Sequence, residues 1–310
     1  METGLSFDPR LEAVLARLAE VEPAAAAAAG GALAAVLEGV AASAWPEVAR
    51  RFSCLTDDGY PVEFAWSSRD EAVRWTAEVA GPEAEAAARP ALARALFSRL
   101  TGGPAPDPGP GWRPPPAPRF GAWLGGRHDA EASRYKLYLE GACAADWKEP
   151  LETALGRRAT WRMTGHDGVG LEHYGRITGL TRWGLARGCA ALGLDAGPLF
   201  GLGLDRDHDE PFGHVCGFSI AETGGKPSAI TLFPAWLRVR SGPDALSRLL
   251  SAAAALGSPA TVLRALAGGG APDCGRLGLV GVGCTADGRR WLQAGWRPGA
   301  ARPAVQRIGS

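Results

Sequence analysis

The sequence lacks the pairings that mark a metal or redox centre. Its six cysteines (Cys54, Cys143, Cys189, Cys216, Cys274 and Cys284) include no Cys-x-x-Cys pair, so reduced, mostly buried thiols are expected. The five histidines (His128, His166, His173, His208 and His214) never form His-Glu-x-x-His or another ligand pair. No Walker loop, no nucleophile elbow and no Gly-x-Gly-x-x-Gly after a strand occurs. These absences argue against nucleotide hydrolysis, an α/β-hydrolase and a dinucleotide-binding enzyme. Net charge is lacking as well, with Lys+Arg and Asp+Glu at 33 each. Nothing therefore suggests a nucleic-acid or anionic-membrane partner, and any anion site must be a local cluster. The long uncharged run from Pro23 is mostly alanine, too weakly hydrophobic for a membrane span; a packed helix is expected. The start Met-Glu-Thr-Gly lacks the basic-then-apolar order of a secretion signal, so the expected compartment is the cytoplasm. The shortage of lysine beside abundant Ala, Gly, Pro and Arg is a compositional bias without chemical content.

What is present is a hydrophobic content of 46% over 310 residues, enough for a substantial core. The chain cycles between helical and hairpin patterns. Helices are expected over Leu11–Leu18, Gly31–Val40, Glu83–Leu100, Trp147–Leu155, Thr181–Leu192, Pro243–Leu256 and Ala260–Leu266. Between them fall hairpins. The first occupies residues 61–79. The second is Phe120–Leu124 with Arg134–Glu140, joined by Gly125-Gly126-Arg127-His128-Asp129. The third is Thr160–Thr164 with Leu171–Ile177, the fourth His214–Ala221 with Ser228–Val239, and the fifth Arg276–Thr285 with Arg290–Trp296. The Pro/Gly stretch from Gly102 to Pro118 is a loop, and the pattern resumes unchanged beyond it. One domain over residues 1–310 follows.

Hairpins with one apolar face, alternating with helices, suggest a sheet covered on one side. About ten strands tend to curl, and closure removes exposed edges. The expected fold is thus α+β: repeated ααββ units forming an antiparallel ten-stranded β-barrel, polar inside and surrounded by helices. An open sheet of two packed halves is the alternative.

Period-2 alternation then selects the lumen. In the first hairpin Val62, Phe64 and Trp66 go to one face and Glu63 to the other, while Arg74, Thr76 and Glu78 share a face on the second strand. On the fourth strand Lys136, Tyr138 and Glu140 point inward, and on the sixth Glu172, Tyr174 and Arg176. A ring of Arg, Lys and Tyr donors suits a diphosphate: Arg binds oxygens bidentately, Lys supplies a point charge, and phenols donate without adding charge. Trp123 and Trp291 fall on lumen faces, where they would shield a cation or stack on an aromatic acceptor, with burial in the core as the other reading. Gly217, Gly281 and Gly283 lie within strands, either to make room for a bulky acceptor or to allow close helix–sheet packing. The acidic run Asp205-Arg206-Asp207-His208-Asp209-Glu210 reads as a solvated loop, so no obligatory metal is expected.

The order Asp-Gly-x-Pro-x-Glu, then Val-Arg on the next strand, then Lys-x-Tyr on the fourth, resembles the aromatic prenyltransferases of the α-β-β-α (ABBA) barrel. The likeness is to the dimethylallyltryptophan synthase branch and its short bacterial and cyanobactin relatives. It implies a barrel holding an allylic diphosphate beside an aromatic acceptor. Carried over, Glu63 would accept the indole N–H. Arg74, Lys136 and Tyr138 would bind diphosphate, with Tyr174 and Arg176 as further donors. Trp123, Phe233 and Trp291 would line the prenyl and acceptor pocket. The implied reaction moves a dimethylallyl or geranyl group to an indole or tryptophan, free or within a peptide, with Mg2+ at most stimulatory. Tyr or Ser of a modified cyclic peptide is the alternative acceptor, and a non-catalytic barrel binding an aromatic or isoprenoid metabolite the alternative role. Few residues follow the last strand, which favours a sizeable acceptor such as a cyclic peptide. The sequence departs from the tryptophan branch at several strands. The sixth reads Glu172-x-Tyr174-x-Arg176 where Arg-x-Lys-x-Tyr is usual. Phe233 replaces a tyrosine on the eighth, and Trp291 and Gln293 replace one on the last. The third strand carries no lysine. The proton acceptor after attack is left unassigned.

Overall fold

The computed structural model describes residues 8–38, 52–109, 111–200, 211–234, 244–268 and 276–298. Ten antiparallel strands close on themselves: β1 (Val62–Ser67), β2 (Asp70–Glu78), β3 (Ala122–His128), β4 (Ser133–Glu140), β5 (Thr160–His166), β6 (Leu171–Thr178), β7 (Val215–Thr223), β8 (Lys226–Pro234), β9 (Arg276–Thr285) and β10 (Arg290–Arg297). Neighbours follow chain order round the ring and β1 pairs with β10, so the closed barrel forms and the open sheet does not. Five tight turns join the strand pairs at one end, the hairpin end. The helical connections lie at the other, the helix end.

Around the strands lie α1 (Pro9–Val21), α2 (Pro23–Val36), α3 (Arg89–Thr101), α4 (Lys148–Leu155), α5 (Arg182–Ala191), the short α6 (Gly197–Phe200), α7 (Ala245–Ala255) and α8 (Thr261–Ala267). Among the described residues no helix is long and apolar enough to cross a membrane. The core is the layer between helices and outer barrel face. Val62, Phe64, Trp66, Val73, Leu124, Leu137 and Val282 are fully covered there, and each fully buried Val, Leu or Phe contributes about 1.5–3 kcal/mol. The alanine-rich α2 buries Ala25, Ala26, Ala29 and Ala32. Small side chains let it lie close against β2 and β3. Of the cysteines, Cys143, Cys189, Cys216 and Cys284 are buried free thiols and Cys54 is an exposed one.

Three expectations need correction. The helix expected over Glu83–Leu100 begins only at Arg89, because Pro90 has no N–H to give to a preceding turn. The Arg89 guanidinium also ties the segment before it into a turn, donating to the carbonyls of Val79, Gly81 and Ala84 and to Glu78 Oε2 at 2.9 Å. Second, Gly125, Gly126, Arg127 and His128 are not a hairpin loop but the second half of β3. A Cβ on Gly125 would meet the Tyr138 ring at 2.9 Å on the inner face, and one on Gly126 would run into the Trp75 indole on the outer face. The glycine pair gives two aromatic rings their seats. Third, α2 starts at Pro23 rather than Gly31. The acidic run Asp205–Glu210, Cys274 and the expected element ends at residues 39–40, 235–239 and 243 lie outside the described residues.

Candidate active site

The barrel is hollow. A continuous cavity of about 1680 Å³ runs through it, lined among others by Glu63, Arg74, Trp123, Lys136, Tyr138, Tyr174, Arg176, Phe233 and Trp291. Arg74, Thr76, Lys136, Tyr138, Glu140, Glu172, Tyr174 and Arg176 thus face one lumen, as alternation predicts, whereas Glu78 is withdrawn from it, its carboxylate accepting from Ser53 Oγ, Cys54 N and Arg89 Nη1. Single-ligand pockets run about 300–1,000 Å³, so this one has room for two substrates together.

At the hairpin end the positive groups are held by carboxylates. Arg74 Nη2 donates to both Asp70 oxygens at 2.8 and 2.7 Å, and Arg127 Nη2 donates to Asp70 Oδ2 at 2.7 Å. Arg69, in the turn between β1 and β2, lies over the Trp291 ring at 4.5 Å. Burial lowers the Arg74 guanidinium to about 10; Asp70 opposes the drop and the charges of Arg69 and Arg127 add to it. It stays charged at neutral pH. Among the described residues Arg127 Nε and Trp291 Nε1 are buried donors with no acceptor.

Next to these, Lys136 Nζ donates to Glu172 Oε2, Tyr174 Oη donates to the same oxygen at 2.7 Å, and Ser219 Oγ donates to Oε1. Burial pushes the Glu172 carboxyl up, but Lys136 and the hydrogen bonds from Lys136, Ser219 and Tyr174 outweigh it and hold it at about 2. Burial and then the Glu172 charge push the Tyr174 phenol well above its ordinary value, so it remains a donor. Tyr138 packs edge-on against Tyr174, with centroids 5.8 Å apart. Lys136 lies 5.5 and 5.6 Å from the two ring centroids.

Glu63 sits toward the helix end. It pairs with Thr76 across the hairpin, and its carboxylate lies over Gly278 and Gly295, where any side chain would displace it. Trp123 stacks on Phe120 with centroids 3.9 Å apart. Phe233 lies over Gly281, 2.8 Å from where a Cβ would stand, and Trp291 covers Gly283. Here the strand glycines neither enlarge the lumen nor bring helices closer. They seat the aromatic side chains of the next strand flat against the wall.

Besides Glu78, two assigned residues behave differently from expectation. Glu140 turns its carboxylate onto the backbone N–H groups of Arg119, Phe120 and Gly121, each at 2.8 Å, and serves as a loop anchor. Arg176 lies apart from Arg74 and Lys136. Its pKa is lowered by burial and then by the charges of Arg162 and Arg119, which places it with the helix-end arginines. Sequence reasoning missed Arg69, Asp70, Arg127 and Ser219 as parts of the hairpin-end cluster. The alternation Trp123, Gly125, Arg127 carried the signal for Arg127, masked by the glycine pair.

A closed ring of five hairpins inside a helical coat, hollow and lined by cations, phenols and aromatic rings, is an α-β-β-α barrel. No family model matches the chain, and no curated protein matches it at the sequence level. Solved structures do match in fold. One is 6-dimethylallyltryptophan synthase from Micromonospora olivasterospora, solved with DMASPP and Trp: TM-score 0.69, 20% identity, covering 95% of this chain and 98% of that one. 5-Dimethylallyl tryptophan synthase from Streptomyces coelicolor, also with DMASPP and Trp, gives a TM-score of 0.70 at 19% identity over 97% and 98%. AnaPT from Neosartorya fischeri gives 0.62 at 13% identity over 95% and 93%.

Proposed function

We propose that the chain is an aromatic prenyltransferase that moves a dimethylallyl or geranyl group from its diphosphate to an indole. The observation that supports this best is the division of the lumen: cations and phenols tied to internal carboxylates at the hairpin end, and the Glu63 carboxylate with the Trp123 and Phe233 rings toward the other. The diphosphate would lie with Arg74, Arg127, Lys136, Tyr138 and Tyr174. Fixed donors stabilise the charge that develops on its oxygens as the allylic C–O bond breaks, without the reorganisation that water would need. The allylic cation would lie against the Tyr138 and Tyr174 rings, whose faces attract positive charge. Glu63 would accept the indole N–H and raise the electron density of the ring. A ring carbon then forms the new C–C bond to the cation, and its proton passes to an oxygen of the released pyrophosphate, which restores aromaticity. All donors are side chains, so the reading requires no metal and EDTA is expected to leave turnover unchanged.

Incubation with dimethylallyl diphosphate and tryptophan or a tryptophan peptide, read by mass spectrometry, tests the proposal. A product heavier by one prenyl group is expected, with turnover about 10²-fold lower in Glu63→Gln. Binding of the diphosphate without product from any indole acceptor would instead favour the non-catalytic barrel.

A further inference from the structure

The helix end of the lumen carries a second cationic cluster that prenyl transfer, as described, leaves unused. Arg113 and Arg119 lie in the loop leading into β3, Arg162 on β5 and Arg176 on β6; all four have exposed side chains and line the cavity. Their backbones are pinned. Arg113 N donates to the carbonyl of Ala142 at 3.1 Å, Gly141 N donates to the carbonyl of Arg162 at 2.9 Å, and Arg119 N is held by Glu140. Arg176 faces Thr160 in the β5–β6 ladder. Glu140, the carboxylate in their midst, is committed to three backbone donors. Among the described residues none of the four guanidinium groups forms an ion pair, whereas Arg74, Arg127 and Lys136 all do.

Guanidinium groups gathered at one rim without a counter-ion repel one another, and an anion bridging them relieves that repulsion. Arginine is the residue suited to carboxylates, through its two-pronged geometry. Position matters too. Arg176 is on β6 and Glu63 on β1, five strands apart in either direction round the ring, so the two groups stand on opposite walls. An acceptor that placed its indole N–H at Glu63 and a carboxylate on the arginines would span the lumen.

Resting on the prenyl-transfer reading, we propose that this arginine rim is an acceptor-recognition site for carboxylates and selects a peptide with acidic side chains near the alkylated residue. Four guanidinium groups exceed what the single α-carboxylate of free tryptophan uses. A cavity of about 1680 Å³ holds more than a prenyl diphosphate and one amino acid. The rim is also solvent-exposed, where the remainder of a peptide would leave the barrel.

The test compares a tryptophan peptide flanked by glutamates, the same peptide with glutamines, and free tryptophan. Each is titrated calorimetrically into the full chain, then incubated with dimethylallyl diphosphate. The glutamate peptide is expected to bind about tenfold tighter than its glutamine counterpart, the gap shrinking as salt is raised. In the double variant Arg162→Gln, Arg176→Gln the gap should close, with free tryptophan affected less. Arg113→Gln with Arg119→Gln, in the loop before β3, repeats the test where strand packing is untouched. Equal affinities for the two peptides, a preference that survives both double variants, or an equal loss for free tryptophan would overturn the proposal. Arginine-dependent peptide binding without product would retain the site and sink prenyl transfer; product from free tryptophan without any acid preference would do the reverse.

Discussion

The two ends of one lumen handle positive charge in opposite ways. At the hairpin end Arg74 and Arg127 share Asp70, and Lys136 is held by Glu172. At the helix end Arg113, Arg119, Arg162 and Arg176 have no such partner among the described residues. Internal counter-ions fix donors in place, which suits a transition state whose charge must be met at set positions. They also compete with the incoming anion, since each carboxylate must be displaced or bound beside. The unpartnered end trades that order for availability. One tunnel thus contains a cationic cluster with its own counter-ions and another without them among the described residues.

The contrast breaks most decisively if the two ends prove interchangeable. Arg74→Ala is expected to lower turnover by about 10²–10³-fold, the range for removing one fixed donor, and to weaken inorganic pyrophosphate in calorimetry. Arg176→Ala should leave pyrophosphate affinity within about twofold, because Arg176 stands opposite Thr160 at the helix end of the β5–β6 ladder, with the charges of Arg162 and Arg119, and attraction fades with distance. Equal losses in both variants would return Arg176 to the diphosphate set that the sequence resemblance implies.

A smaller effect sharpens the role of the counter-ions. At the hairpin end the four cations Arg69, Arg74, Arg127 and Lys136 face the carboxylates of Asp70 and Glu172, with Asp167 acting on Lys136 from the β5–β6 turn. Removing one negative charge in Glu172→Gln is expected to tighten pyrophosphate about tenfold. The pH behaviour has a definite sign. Glu172 is depressed from 4.5 to about 2, so its contribution to stability is fully present above about pH 4.5 and is lost as pH falls through about 2. The difference in Tm between the parent and Glu172→Gln should be flat above pH 4.5 and shrink below it. Weaker pyrophosphate binding in the variant would mean that Glu172 positions Lys136 and Tyr174 rather than competing for them.

The lumen lining was legible because strand periodicity is strict: covering Val62, Phe64 and Trp66 outside requires Glu63 inside, and covering Leu137 and Leu139 requires Lys136 and Tyr138 inside. The same rule could not place Arg69. A turn residue has no period, and its position follows from the ring of Trp291, a strand closed onto β1 from the far end of the chain. Arg127 was hidden for another reason. A glycine pair is a turn signal when backbone freedom is what it supplies. In β3 it supplies missing side-chain volume, which depends on Tyr138 and Trp75 in neighbouring strands. Charge balance was legible least. Alternation put Glu172 and Arg176 on one face, but the register across β5, where Gly165 leaves room for the Lys136 side chain, sets the first against Lys136 and leaves the second beside Arg162.

That distinction between glycines as turn-formers and as seats yields the smallest effect, and it separates the packed wall from the hollow one. Gly126→Ala drives a methyl into the Trp75 indole, which is 1% exposed and donates to His128 Nε2 at 2.9 Å. With no free volume to receive the ring, overpacking should cost about 1–3 kcal/mol, measured as a lower midpoint in denaturant. Gly281→Ala meets Phe233 Cε1 and Gln293 Cγ at 2.8 Å, against 2.4 Å to Trp75 at Gly126, and Phe233 is half-buried and borders the cavity. Its ring can turn into the lumen, so the stability loss should stay below about 1 kcal/mol. The displaced ring would narrow the acceptor space and alter turnover a few-fold. If Gly281→Ala proved the more destabilising of the two, the inner wall would be as tightly packed as the outer, and a lumen that admits two substrates would be untenable.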